Sequence, residues 1–420
     1  MRNGTDYISL LKNEMTAVTG CTEPVAVAYA AALARNEIAG YEIERIYVLA
    51  SGNIIKNAMA VLIPGTEEHG VEIAAALGAV AGNPEKKLAL LEDITTEQVL
   101  RAKSLCWESV RVSTASALPP LYVDITVIGG GHSGRAVLQN YHDCLVLLER
   151  DGKLQMENNT DGAAEAGRSI STRDIEDIFD FVSNVDIGQL DIIQQGITLN
   201  MKISREGLAG KYGLCVGKTL HEENHRESLI TYAVALAAAG SDARMAGAPY
   251  AVMSNSGSGN QGICATVPVA AIAEKLGADR DTLIRGVALS NLTAIHVKKS
   301  IGRLSPLCGA VAAGIGAGAG IVYIMGGGIK EIKASVQNML GNVTGMICDG
   351  AKAGCAMKVS TCVFAAAQSA LIAMKGNVVQ SIEGIIEADV ERTIDNISRI
   401  SGEGMPEMDP LLLSIIINKK

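Results

Sequence analysis

Three cysteines in the C-terminal part of this 420-residue chain, Cys308, Cys348 and Cys355, are of a type and spacing that could hold a metal centre. The last two lie in the run Met346-Ile347-Cys348-Asp349-Gly350-Ala351-Lys352-Ala353-Gly354-Cys355. In one continuous helix their Cα atoms would be roughly 10 Å apart along the axis, which is awkward for ligands of one compact centre. Gly350 and Gly354 supply the backbone freedom to loop the segment and bring both thiolates together. Cys308 directly precedes a glycine-rich helix, whose free N–H groups favour a thiolate. A structural zinc site would need a fourth protein ligand, for which His296 is a candidate. A 4Fe–4S cluster usually takes four cysteines, so three would leave one iron open to a substrate. Spacing alone does not separate these options from three buried apolar cysteines, and it leans towards the latter.

Cys21 differs in kind. It stands in Thr19-Gly20-Cys21-Thr22-Glu23-Pro24, just before a helix in which Thr22 suits the N-cap and Pro24 the first turn. A thiol there is expected to have a depressed pKa and to serve as nucleophile or base. A small buried residue at a helix junction is the competing reading. Two polar stretches could cradle a small anionic ligand. Ser51-Gly52-Asn53-Ile54-Ile55-Lys56-Asn57 follows a strand. Ser254-Asn255-Ser256-Gly257-Ser258-Gly259-Asn260-Gln261-Gly262 opens a helix, whose N–H groups make a seat for a carboxylate. Gly129-Gly130-Gly131-His132 leads into another strand and is a poor dinucleotide fingerprint, with His132 read as a surface turn residue. His221 and His225 have metal-pair spacing, but in a Glu-rich segment that reads as a solvated helix start.

The elements that must position these residues follow from composition and periodicity. The chain is 48% hydrophobic and 19% charged, which excludes a disordered protein, and 3% aromatic with 45 glycines, which implies a small-residue core of closely approaching helices. A net charge of −9 gives no basic footprint, so no nucleic-acid partner is expected. The N-terminus lacks the pattern of a signal peptide, and a reducing cytoplasm follows as the expected location. Nine cysteines are there expected to be free thiols or ligands. The uncharged run from Leu304 to Ile329 is long enough to span a bilayer, but its five glycines between 309 and 320 favour a buried core helix and no membrane partner.

Residues 6–38 read as helix interrupted at Thr19–Pro24, followed by a strand over Glu44–Ala50 and helices near Val71–Ala81 and Thr96–Leu105. Five strands from Val110 to Met156 read as an antiparallel meander. Beyond a polar boundary at 157–170, helical periodicity fills 172–182, 187–205, 223–240, 260–276, 279–297, 309–325, 329–340, 361–374 and 387–399. The expected fold class is α+β, with an α/β domain over 1–160 and a mostly helical domain over 161–420.

Taken together, the Thr19–Pro24 motif, the Ser51–Asn57 loop and the Cys308/Cys348/Cys355 set resemble the L-cysteine desulfidase family, related to the α-subunit of iron–sulfur L-serine dehydratases. The resemblance covers essentially the whole chain. Cys308-Gly309 and Cys348-Asp349 through Cys355 are similar in order and spacing to the dehydratase cluster ligands. What it implies is an iron–sulfur α,β-elimination of L-cysteine to hydrogen sulfide and aminoacrylate, and thence pyruvate and ammonia. The resemblance implies a 4Fe–4S cluster on Cys308, Cys348 and Cys355 with one iron not ligated by cysteine, and no pyridoxal phosphate. It implies Cys21 as the base for the α-proton. An amino-acid substrate would be held by Ser51, Gly52, Asn53 and Asn57 in one loop and Asn255, Ser256 and Gly257 in the other, in a possible homo-oligomer. Two departures separate this chain from the dehydratases: it ends Ile415-Ile416-Ile417-Asn418-Lys419-Lys420 without a cysteine, and its Cys348–Cys355 segment is shorter. L-serine or another β-substituted amino acid is the alternative substrate, and a non-catalytic cluster-bearing redox sensor or amino-acid-binding protein the second alternative.

Overall fold

The computed structural model of the chain describes residues 4–115, 118–158, 172–223 and 228–419. A helix over Gly4–Glu14 leads into a three-residue strand, β1 (Ala17–Thr19), and then the helix Thr22–Glu37. The break expected at Thr19 thus begins earlier, because residues 17–19 leave the helix to pair with a distant strand. Thr22–Glu37 is buried almost throughout, as its alanines and valines require. It lies between the helix Val71–Ala81 and one face of a six-stranded sheet.

That sheet has the order β3-β2-β4-β5-β6-β7, with β2 at Arg45–Ala50, β3 at Val110–Ser113, β4 at Tyr122–Gly129, β5 at His132–Gln139, β6 at Leu145–Arg150 and β7 at Lys153–Glu157. Strands β4 to β7 form the expected antiparallel meander. Val110–Ser113 does not belong to it. It pairs parallel with β2 at the sheet edge, after a crossover that contains the helices Gly52–Ala58, Val71–Ala81 and Thr96–Ser109. The expected boundary at 157–170 falls mostly outside the described residues, as does His225.

The helical part surrounds Gly309–Ile324, which packs against Arg280–Ile301, Cys355–Met374, Gly259–Leu276 and Ile329–Leu340. This is the uncharged run of the sequence, and it is a buried core helix. Its glycines allow the close approach that a low-aromatic composition implies: a Cβ on Gly316 would stand 2.2 Å from the carbonyl oxygen of Ser290. The helix Cys355–Met374 is the one described element long and apolar enough to cross a membrane, and half of its apolar stretch is buried inside the protein. The α+β class stands.

One short ladder ties the two parts together. β1 pairs antiparallel with β8 (Ala251–Met253) in the register Ala17↔Met253, Val18↔Val252 and Thr19↔Ala251. The Ser254 N–H donates to the Thr16 carbonyl at 2.8 Å, and the Ser256 N–H to the Glu14 carbonyl at 2.9 Å. Three residues per strand are too few for periodicity to announce, yet this ladder brings the Cys21 helix start against the 254–258 loop.

Replacing Gly316 by Ala is expected to destabilise the fold by about 1–3 kcal/mol, because backbone must shift to admit the methyl group. Gly345→Ala, which has nothing within 4 Å, is the control and should leave the denaturation midpoint unchanged. Equal midpoints for the two variants would contradict the close helix approach.

Candidate active site

Cys308 and Cys348 are set side by side by backbone pairing. Leu307 and Ile347 form an antiparallel bridge, flanked by the Cys308 N–H donating to the Met346 carbonyl at 2.9 Å and the Cys348 N–H to the Pro306 carbonyl at 2.7 Å. Between Cys348 and Cys355 the chain loops, as expected, with Gly350 in the left-handed region at φ +96°; a Cβ there would also meet the Lys56 carbonyl at 2.5 Å. Gly354 has ordinary helical geometry, so its flexibility is not required. Cys308 caps the N-terminus of Gly309–Ile324, and Cys355 is the first residue of Cys355–Met374. All three thiols border one cavity of about 90 Å³. Cys21, at the N-cap of Thr22–Glu37, borders the same cavity from the other part of the molecule and packs near Ala351 and Cys355.

Three buried or half-buried thiols on one cavity wall are donors of the kind that an iron–sulfur cluster takes. Among the described residues no three His, Cys, Asp or Glu side chains converge to hold a single metal ion. The three thiols do share one cavity. His296, the candidate fourth zinc ligand, is engaged elsewhere: Nε2 faces Glu391 Oε2 at 2.6 Å, and Nδ1 is paired with Thr172. Burial pushes Cys308 up to about 12, with the neighbouring Cys348 and Cys355 adding to the effect, and burial also raises Cys355. As free thiols these groups hold their protons; binding metal would release them.

The expectation of a low-pKa Cys21 is overturned. Burial first, and then the negative charge of Glu23, push its thiol well above the ordinary value. The Cys21 Sγ donates to Glu23 Oε2 at 3.2 Å. A helix N-terminus is too weak a field to offset full burial beside a carboxylate. Glu23 is the centre of a donor set: Thr22 Oγ1 lies 3.0 Å from Oε2, and Asn57 Nδ2 donates to Oε1 at 2.9 Å. Burial raises the Glu23 carboxyl, but the nearby His142 and these hydrogen bonds outweigh it and hold it below the ordinary value. His142 Nε2 is 4.0 Å from Oε1, and burial lowers that imidazole. Thr22 does not act as N-cap; its hydroxyl lies 2.9 Å from the Gly257 carbonyl, across the β1–β8 junction.

A second cavity of about 90 Å³ adjoins the first and shares Glu23, Asn57, Ser258, Gln261, Gly309 and Cys348 with it. Its wall carries the cations Lys56, Lys298 and Arg303, and the imidazole of His142. Lys56 is paired with Asp409 at 2.6 Å, and Arg303 with Glu14. Lys298 is buried, reaches only the Ser305 hydroxyl at 3.3 Å among the described residues, and is lowered to about 8 by burial, although Cys348 and Cys308 oppose the shift. On the thiol side, Arg244 is buried with Nε unpaired among the described residues. Arg244 and Lys298 thus lack carboxylate partners among the described residues, and both face the joined cavities.

Of the sequence-predicted residues, the structure brings Cys21, Asn53, Asn57, Ser256, Gly257, Cys308, Cys348 and Cys355 to these two cavities. Ser51, Gly52 and Asn255 do not line them. Ser51 Oγ donates to the Pro120 carbonyl at 2.8 Å; Gly52 accommodates Leu413, whose side chain would meet a Cβ at 2.8 Å. Asn255 is fully buried and braces the loop through the Asn291 carbonyl. These residues shape the loops without reaching the space between them. His132, expected as a surface turn residue, instead opens β5 and is half-buried, paired with Asp151 at 2.9 Å, and His221 is exposed on Val216–Glu222. Sequence reasoning passed over Glu23, His142, Arg244, Gln261 and Lys298. The available signal was an acid opening an otherwise apolar helix and a basic residue inside a buried one.

The joined cavities thus bring together buried thiols, the hydrogen-bonded Cys21–Glu23 pair and two cations without carboxylate partners among the described residues. Residues 85–414 match the family model described as the serine dehydratase alpha chain, and the chain belongs to that family of dehydratase- and lyase-type enzymes. Over 424 residues it is 46% identical to a protein named UPF0597 protein from Oleidesulfovibrio alaskensis, covering 99% of this chain and 98% of that one. It is 42% identical over 416 residues to another UPF0597 protein, from Caldanaerobacter subterraneus, covering 98% of each chain. A third from Clostridium tetani is 39% identical over 420 residues, again covering 98% of each.

Changing Cys308, Cys348 or Cys355 singly to Ser should lower the iron and acid-labile sulfide of anaerobically prepared protein by more than half. The buried Cys264→Ser change should leave both intact, since that thiol lies outside the cavity. Iron content indifferent to all three cavity cysteines would rule out the ligand assignment.

Proposed function

We propose that the chain is an iron–sulfur amino-acid lyase that converts L-cysteine to hydrogen sulfide, pyruvate and ammonia in a reducing cytoplasm. The observation that carries this reading is the meeting of Cys21 and Glu23 with Cys308, Cys348 and Cys355 at one buried cavity. Such a reaction must remove a weakly acidic α-proton and expel a β-substituent. A 4Fe–4S cluster held by Cys308, Cys348 and Cys355 would supply a Lewis-acidic iron with affinity for the substrate's carboxylate or leaving thiolate.

The protein's own residues account for the rest. Arg244 and Lys298 are the cations available to the substrate carboxylate. The α-proton leaves to the Cys21–Glu23 pair: Glu23 accepts the thiol proton as the Cys21 sulfur takes the proton from Cα. The electron pair released at Cα forms the Cα=Cβ bond while the Cβ–S bond breaks, and sulfur departs with that bond's electrons as hydrosulfide. The aminoacrylate tautomerises to an imine, which water hydrolyses to pyruvate and ammonia. Enclosure by buried walls protects the carbanion-like centre from premature protonation by solvent. A second reading, L-serine as substrate with water as leaving group, is favoured by the family description of serine dehydratase alpha chain.

Anaerobically purified protein is expected to release sulfide and pyruvate in equal amounts from L-cysteine, faster than pyruvate from L-serine at equal concentration. Cys21→Ala should lower turnover by about 10²–10⁴-fold while the visible absorption of the cluster stays unchanged. A folded, iron-free enzyme of full activity would sink the reading, and a faster reaction with L-serine would replace the substrate.

A further inference from the structure

Two side-chain amides stand on the wall shared by the joined cavities, and their orientation is fixed by their partners. Asn57 is 7% exposed and Gln261 1% exposed. Asn57 Nδ2 donates to Glu23 Oε1 at 2.9 Å. A carboxylate only accepts, so the amide nitrogen must face Glu23 and Oδ1 must face away. Gln261 is oriented by a longer relay. Asn255 Nδ2 donates to the Asn291 main-chain carbonyl at 3.1 Å, which leaves Asn255 Oδ1 as an acceptor. That oxygen accepts from Gln261 Nε2 at 2.8 Å and from the Ser256 hydroxyl at 3.0 Å. The remaining Gln261 atom, Oε1, is therefore an acceptor too, and it rests against Gly309: a Cβ there would lie 2.6 Å from it.

Both free oxygens, Asn57 Oδ1 and Gln261 Oε1, are buried and have no hydrogen-bond partner among the described residues. A buried acceptor left unmade costs about 1–3 kcal/mol. Two of them on one wall, beside an anionic carboxylate, ask for a donor with several N–H groups and a positive charge. Lys298 does not fill that role: its ammonium is turned to Ser305.

We infer that Asn57 Oδ1, Gln261 Oε1 and the Glu23 carboxylate form the seat of a primary ammonium group, and that Gln261 determines specificity for α-amino over α-hydroxy acids. This rests on the amino-acid-lyase reading for the identity of the ligand, but not for the chemistry of the seat. A site that hydrogen-bonds a ligand amine discriminates strongly, because the analogue leaves its buried acceptors unpaired. Gly309 joins the seat to Cys308, placing the ammonium next to the thiol cavity.

The probes are L-alanine and L-lactate, which differ only in ammonium against hydroxyl and carry no leaving group. Their binding to anaerobic holoenzyme is measured by calorimetry. Wild type should bind L-alanine at least about tenfold more tightly. Gln261→Leu should bring the two within about threefold, with L-lactate affinity and iron content unchanged. Gln261→Glu, which keeps the size and adds an acceptor charge, should retain or increase the preference and serves if the leucine variant does not fold. A preference unchanged in Gln261→Leu overturns the seat, as does wild type binding both ligands equally or neither. If the preference depends on Gln261 but neither L-cysteine nor L-serine is turned over, the lyase reading fails and the seat stands.

Discussion

A carboxylate buried at the start of a helix must find donors, and the way Glu23 finds them organises the centre of this protein. Leaving such a charge unanswered would cost several kcal/mol or force it to protonate. Its donors come from its own helix start, Cys21 and Thr22, and from Asn57 on the helix Gly52–Ala58, with His142 close by on the turn between β5 and β6. Satisfying one charge therefore fixes three segments relative to one another. Thr22 extends the network to the Gly257 carbonyl, so the helical part is held by the same group.

The β1–β8 ladder makes that arrangement possible. Without it nothing in the chain order would bring residue 22 to residue 257. The ladder is short, but it is reinforced by Thr16 and Ser254, whose hydroxyls lie 3.0 Å apart. The same economy recurs on the other side of the cavity, where a single bridge between Leu307 and Ile347 sets Cys308 beside Cys348. In both places a few backbone hydrogen bonds join segments far apart in sequence, and the rigid helices behind them hold the position. The helix Gly309–Ile324 supplies that rigidity because its neighbours approach its glycines more closely than larger side chains would allow.

The two joined cavities differ in their linings. One holds Cys21, Cys308 and Cys355, whose thiols burial pushes up, and the other holds Lys56, Lys298, Arg303 and His142. Glu23 and the two amide oxygens stand between them. The amino acid proposed as substrate carries both charges in one small molecule and would use both kinds of partner. The Cys21 thiol shows how far burial dominates: a helix N-terminus would lower it, yet desolvation and a neighbouring carboxylate carry it the other way.

The sequence by itself determined the class of the fold, most helices and strands, and the residue types of the site. Long apolar periods and glycine-rich runs are local signals, and the spacing of Cys308, Cys348 and Cys355 could be read with Gly350 as the looping residue. Val110–Ser113 was legible as a strand but not as a parallel edge, because pairing partners are not local. The polar loops were legible as stretches, but which of their residues face inward was not. Asn57 and Ser256 reach the cavities, whereas Ser51 and Asn255 brace the backbone, and their types are the same. Only the tertiary structure decided that Cys21 shares a cavity with the three cysteines, that its thiol holds its proton, and that Gln261 and Lys298 belong to the site. Those properties depend on burial, which is set by neighbours hundreds of residues away and which no spacing along the chain encodes.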